Sequence, residues 1–416
     1  MVERYVVKAV MFRLKDRVHD IALPDELIWL MKTFRLMVNE AIRAGLQLGL
    51  TSRYAICKAV YKGFRKDYDV YSQYIPSACE VAGAILKNHR RGIRQGKRPE
   101  RPFVKRLCLK CENQTYRLDR ETGILDLPIR AREHVTIKLI VSPYHRKYLD
   151  DEKLKLGSLT ICPDKVIVAF RKDRPVKGLI ETVMAFDTNE RSLDGVFVSN
   201  DDEPLPLRYN TSEVPIIQER HQRRRKRLQQ KKAHDRRTKK RLCGREGKRE
   251  HDRIDDRQRK VALRIVSIAK VRNSAIVLED LTGLRYKKRS KELTRRLSSW
   301  PRRQLHKFIC EYAEWNGVTI IFVDPWNTSN DCPVCGRRNV NSRKDGMFRC
   351  ECSWECDQHI SASLNIYLKA IASNEEVARA VKGRPDASWH DLMMSPYDLF
   401  TGARMEASRM SGTVGG

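Results

Sequence analysis

Glu181-Thr-Val-Met-Ala-Phe-Asp187 and Ser274-Ala-Ile-Val-Leu-Glu279 are two short apolar runs, and each ends in a carboxylate. Runs of this length, rich in branched residues, read as buried strands rather than helices. Leu193-Asp-Gly-Val-Phe-Val-Ser follows the first run closely enough to be its hairpin mate. Helical patterns come next, then the second run, an amphipathic helix over roughly Pro301–Asn316, and a strand Val318-Thr-Ile-Ile-Phe-Val323. The order β-β…α-β-α-β specifies an α/β domain with helices packed on a mixed sheet. A strand end fixes a carboxylate at the sheet rim, where hard oxygen ligands can hold divalent metal. Taken singly, each of the two is more often an ordinary solvated charge at a strand end.

The bulk composition points to a polyanionic partner. The chain has 416 residues, which suggests two or three domains, and 41% of them are hydrophobic, enough for packed cores. Lys and Arg number 83 against 52 Asp and Glu, a formal charge of +31 that would repel itself without a counter-charge. Twelve cysteines raise the possibility of a disulfide scaffold. The opening residues Met1–Lys15 alternate charged and apolar positions and carry no signal-like apolar core. No run of about 18 apolar residues is present to span a membrane. The expectation is a reducing, cytoplasmic setting, at the nucleoid in a prokaryote, with cysteines used for metal or packing.

Upstream of these strands the pattern changes twice. Residues 4–14 read as a strand, and from Asp25 to about Arg94 apolar residues recur at helical steps, as at Leu27, Leu30, Met31, Phe34, Val38 and Ile42. Arg94-Gln-Gly-Lys-Arg-Pro-Glu-Arg-Pro is a basic joint, and residues 103–171 are β-rich, so the first strand is expected to return to the later sheet. Cys108-Leu-Lys-Cys111 has no partner pair nearby and is assigned to packing. Beyond Ala370 no core segment stands out, and a mobile tail is expected.

Cys332-Pro-Val-Cys335-Gly, followed by Cys350-Glu-Cys352 and Cys356, has the spacing of a zinc ribbon. Two tight turns would present thiolates from opposite sides of one ion. The second knuckle is irregular, so the fourth ligand is Cys352, with Cys356 held in reserve. Between the two strand-end acids, positions 221–260 carry 19 Lys and Arg against six acids. Such a run suits phosphate contacts that add affinity without reading sequence, or else a merely solvated helix face. The candidate nucleic-acid contacts are Arg223, Arg224, Arg225, Lys226, Arg227, Lys231, Lys232, Arg236, Arg237, Lys239 and Lys240. Tyr61, Phe64, Tyr68, Trp300 and Trp315 lie among basic residues and could stack bases, though packing explains them as well.

Phe-Asp187-Thr-Asn, Leu-Glu279-Asp-Leu-Thr-Gly-Leu, Val-Asp324-Pro-Trp-Asn-Thr-Ser ahead of the first knuckle, and Cys356-Asp-Gln-His-Ile-Ser-Ala-Ser-Leu-Asn-Ile366 occur in that order. This series resembles the TnpB (OrfB) family of insertion-sequence proteins, relatives of the type V CRISPR effector nucleases. The likeness runs from residue 1 to about 370 and is strongest over 274–366. It implies an RNase H-like (RuvC) α/β domain with a zinc-ribbon insertion, preceded by a wedge-type β-barrel domain that a helical recognition domain interrupts. The implied boundaries are 1–20 and 100–175 for the wedge and 21–99 for the recognition helices. They are 176–330 and 357–372 for the nuclease domain and 331–356 for the ribbon, with 373–416 as the tail. The implied partners are a guide RNA from the transposon end and double-stranded DNA, with structural zinc and catalytic Mg²⁺ or Mn²⁺. Asp187 matches the first catalytic acid and Glu279 the second. The family's third acid falls at His359, Asp357 occupies the preceding acidic position, and Ser361 replaces an Asn. Three functions follow: a guided DNA endonuclease, a guided binder without cleavage, and a zinc-ribbon DNA-binding protein without a guide.

Overall fold

The computed structural model describes residues 4–14, 20–200, 204–230, 235–282, 290, 294, 299–339, 343–381, 389, 397–398 and 403–404. Its contacts divide into two compact units, Met1–Asp173 and Arg174–Gly416.

In the first unit, strand β1 (Tyr5–Arg13) is followed by helices α1 (Asp25–Gln47), α2 (Arg53–Asp67) and α3 (Tyr74–Arg94). Short strands β2 (Leu109–Cys111) and β3 (Arg117–Leu118) precede β4 (Ile124–Arg130), β5 (Glu133–Lys138), α4 (Pro143–Leu149), β6 (Lys155–Cys162) and β7 (Lys165–Asp173). Alternation in β1 buries Val6, Val10 and Phe12, and the strand pairs antiparallel along the full length of β7. The described strands form a four-stranded sheet, β1-β7-β6-β2, and a three-stranded sheet, β3-β4-β5. Cys111 is fully buried, and the Cys108 and Cys162 sulfurs lie 3.3 Å apart across the β2–β6 ladder.

The second unit is built on a sheet ordered β12-β11-β8-β9-β10-β16-β17. Its strands are β8 (Thr182–Thr188), β9 (Ser192–Ser199), β10 (Leu205–Asn210), β11 (Ser274–Glu279), β12 (Ile320–Val323), β16 (Tyr397–Asp398) and β17 (Ala403–Arg404). The helices are α5 (Glu213–Gln230), α6 (Arg236–Val271), α7 (Arg302–Asn316), α8 (Gln358–Ser373) and α9 (Glu375–Ala380). β8 and β9 form the expected hairpin, and β11 lies parallel between β8 and β12. The twofold alternation of strand side chains sorts the core into two layers. Met184, Phe186, Ile276 and Leu278 pack against α6 and α7, whereas Val183, Ala185, Ala275 and Val277 pack against α8. At Gly195 a β-carbon would fall 2.4 Å from the ring of Phe186, its cross-strand partner, so no larger residue fits there.

The segment beyond Ala370, expected to be an unpacked tail, contributes to this core. Asn374 accepts a hydrogen bond from the Val377 amide and starts α9, and Val377, Val381 and Trp389 are buried against the α8 face. These anchors are widely spaced among polar residues and therefore form no periodic run. Strand β16 then extends the sheet beside β10.

Candidate functional site

The parallel register that sets Leu278 beside Phe186 carries Asp187 and Glu279 side by side at the same end of neighbouring strands. Both are almost fully buried, at 8% and 7% exposure. Burial, and next the Asp187 carboxylate, push the Glu279 carboxyl up to about 7, partly offset by a hydrogen bond from Thr328 and by the charge of Lys369. The Thr328 hydroxyl donates to Glu279 Oε1 at 2.7 Å. Asn365 on α8 in turn holds the Thr328 and Asp331 carbonyls at 2.8 and 2.6 Å. The residues around Thr328-Ser are therefore a brace for the second acid.

The two candidates for the third position take different roles. Asp357 caps α8, accepting the amides of His359 and Ile360, and its other oxygen receives Arg208 Nη2 at 2.9 Å. His359, the second residue of the helix, places Nδ1 3.1 Å from Asp187 Oδ2. Burial alone would lower the imidazole. The hydrogen bond to Asp187, with the carboxylates of Asp187, Asp194 and Asp357, instead raises it above its ordinary value. Asp187 thus lies against His359 and beside Glu279, while Asp357 is turned to Arg208.

Asp194, Arg208 and Asn189 were not singled out from sequence. Asp194 is wholly buried on β9, directly opposite Asp187. Its oxygens are held by Arg208 Nε, by the Ser192 hydroxyl at 2.5 Å and by Asn189 Nδ2 at 3.0 Å. The same Asn189 amide donates to Asp187 Oδ2 at 2.8 Å. Arg208 pairs with both Asp194 and Asp357, while Asp187 and Glu279 have no Lys or Arg ion pair among the described residues. The available signal was the hairpin itself, whose register pairs position 187 with 194. Behind Asp187, His306 Nε2 lies 2.7 Å from the Thr188 hydroxyl, and burial lowers that histidine to about 4.

The cysteines meet as the spacing predicts. Sulfurs of Cys332, Cys335, Cys350 and Cys352 all lie within 4.8 Å of one another, with 3.6 Å for both Cys332–Cys352 and Cys335–Cys350. Zinc–sulfur bonds of about 2.3 Å in a tetrahedron require sulfurs about 3.8 Å apart, so the donor set fits that ion. Gly336 turns the chain at φ +73°, and Ser353 at φ +67° reverses it after the second knuckle. This reversal lets a C-x-C spacing serve where C-x2-C is usual. Strands β13 (Arg343–Lys344), β14 (Met347–Arg349) and β15 (Glu355–Asp357) form a small sheet, in which Cys356 is fully buried opposite Phe348 and belongs to the core. Strand β15 runs directly into α8, so the cluster adjoins the helix that bears His359.

The basic run forms α5 and most of α6, and part of its charge is spent internally. Arg223 pairs with Glu219, Arg224 with Glu246 and Arg225 with Glu250. Lys226, Arg227, Arg236, Arg237 and Lys240 are exposed, and Lys239 is half-buried. Lys231 and Lys232 lie outside the described residues. The C-terminal half of α6 buries Ile254, Ala262, Ile265 and Val266, so it is also a core helix. Of the aromatic candidates, Phe64 is buried, Tyr68, Trp300 and Trp315 are half-buried, and Tyr61 is exposed.

Among family models, one described as Cas12f1-like, TNB domain, matches residues 303–366, and an uncharacterized MJ0013 family matches residues 30–124. A TnpB-like protein of Methanocaldococcus jannaschii, MJ0751, is 29% identical over 58% of this chain and 88% of its own length. A second from that organism, MJ1635, is 23% identical over 75% of this chain and 72% of its length. Among solved structures, the protein of a Cas12f1–sgRNA–target DNA complex superposes with a TM-score of 0.59 at 11% identity, covering 88% of this chain and 99% of that one. The likeness shows a common fold.

Proposed function

Because this chain belongs to the TnpB family, which is related to the type V effectors, we propose that it is an RNA-guided DNA endonuclease with Asp187, Glu279 and His359 as its metal-holding centre. The observation that carries this reading is the buried acid pair. Two adjacent carboxylates, one pushed to about 7 by burial and by the other, lie together without a Lys or Arg ion pair among the described residues. Such a pair suits a divalent cation better than it suits a folded protein without one. Arg208 supports the reading by removing Asp194 and Asp357 from the competition, and His359 supplies an imidazole beside Asp187. Bound divalent metal supplies an activated water and charge against the leaving oxygen of a phosphodiester. Imidazole is a poorer partner for hard Mg²⁺ than carboxylate is, so Mn²⁺ is the expected preference. The exposed cations of α5 and α6 would follow a nucleic-acid backbone, with sequence supplied by base pairing to a guide. The four cysteines would hold a structural zinc ion next to the His359 helix.

A guided binder without cleavage is the second reading, favoured by the engagement of Asp357 with Arg208 and by the absence of an acid at position 359. The test uses the protein co-expressed with RNA from its flanking transposon end, a matched plasmid, and Mg²⁺ or Mn²⁺. Cutting that is stronger in Mn²⁺, lost in Asp187→Ala and Glu279→Ala, and shifted toward Mg²⁺ in His359→Asp is expected. Tight guided binding with no product in either metal would establish the second reading, and binding that ignores the guide would sink both.

A further inference from the structure

Of six tryptophans, Trp326 is the exposed one, at 69%. Burying an aromatic of this size removes on the order of 150–250 Å² from water, so a side chain left out is informative when its backbone is held still. Its backbone is held from several directions. Asp324 Oδ1 accepts the Trp326 amide at 3.1 Å, and Lys369 Nζ donates to the carbonyls of Asp324 and Trp326 at 2.8 and 2.5 Å. Asn327 adopts φ +61°, and its carbonyl accepts the amides of Asn330 and Asp331. Two residues beyond Trp326, Thr328 holds Glu279. The indole is therefore presented by a fixed loop beside the acid pair. Phe322, 49% exposed on edge strand β12, precedes it at the same end of the sheet. Lys369 ties this loop to α8 and brings a positive charge beside Glu279.

We propose that Trp326 is a stacking platform for an unpaired base of the DNA strand delivered to the acid pair. The inference rests on the DNA-cutting reading of the centre and adds to it a binding residue for single-stranded substrate. An aromatic face accepts any base and needs no hydrogen-bond match, which suits an enzyme whose sequence choice is made by base pairing elsewhere. A fixed loop also avoids the ordering cost that a mobile side chain would carry on binding.

The test measures binding of a fluorescein-labelled oligodeoxythymidine, and of an abasic strand of equal length, to the guide-loaded protein in zinc-containing buffer without Mg²⁺ or Mn²⁺. Trp326→Ala is expected to weaken oligodeoxythymidine binding about tenfold, with Trp326→Phe within about twofold of the parent. On the abasic strand the parent and Trp326→Ala are expected to bind alike. Unchanged zinc content and guide affinity in Trp326→Ala show that the fold is intact. Equal binding of oligodeoxythymidine by the parent and Trp326→Ala overturns the proposal, as does an equal loss on the abasic strand. The same tryptophan dependence with tighter binding of oligouridine overturns the assignment to DNA. A chain that stacks oligodeoxythymidine on Trp326 and cuts no guided target in either metal retains the platform and loses the endonuclease reading.

Discussion

Replacing Glu279 with Gln should make the protein more stable at pH 8 when Mg²⁺ and Mn²⁺ are absent. Glu279 sits at 7% exposure beside Asp187, and its carboxyl lies at about 7 against an ordinary value of 4.5. Because the folded-state value is the higher one, ionisation opposes folding. The penalty is absent below about pH 4.5, grows as pH rises, and is complete above about 7. The gap between 4.5 and about 7, at about 1.4 kcal/mol per pH unit, amounts to about 3 kcal/mol. Gln keeps an oxygen to accept from Thr328 and carries no charge. For a unit of this size about 1 kcal/mol corresponds to about 2–4 °C, so the gain in Tm at pH 8 is about 6–12 °C. Scanning calorimetry in zinc-containing buffer, with no other divalent ion, measures it. The two proteins should converge at pH 5, and added Mn²⁺ should raise the Tm of the parent more than that of Glu279→Gln. No gain at pH 8, or an equal gain at pH 5, would refute the argument that burial beside Asp187 makes ionised Glu279 costly.

The cysteine cluster predicts about one zinc per chain by elemental analysis, a value that falls in Cys332→Ser and holds in Cys356→Ser, whose sulfur is in the core. Zinc lost equally from both variants would reassign the fourth ligand. For the basic helices, exchanging the exposed Lys226, Arg227, Arg236 and Arg237 for Ala should flatten the salt dependence of nucleic-acid binding. The slope of log K against log salt should fall by about 0.7–0.9 for each cation that meets a phosphate. Arg225→Ala, which breaks an ion pair with Glu250, should change stability more than it changes that slope. A slope unmoved by the fourfold variant would remove these helices from the binding surface.

Some features were legible because they are local. The zinc knuckle requires only two tight turns and a fixed spacing, and the strands ending in Asp187 and Glu279 announce themselves by length and branching. The hairpin that follows Asp187 and the amphipathic helix at Arg302–Asn316 were legible for the same reason. The packed segment around Val377 and Trp389 was not, since three apolar residues spread through polar sequence gain meaning only when a helix face is there to receive them.

The site divides in the same way. Sequence by itself determined which side chains could bind metal, and it left Asp357 and His359 as alternatives because both sit at the start of one helix. Tertiary structure alone set Arg208, a residue on another strand, against Asp357 and left His359 against Asp187. It also decided that Asp194, unremarkable in the chain, lies opposite Asp187, and that Trp326 faces solvent while the other five tryptophans do not. The physical reason is the range of the interactions. Strand propensity and thiol spacing act over a few residues, whereas a buried charge is settled by whichever partner the fold brings within about 3 Å.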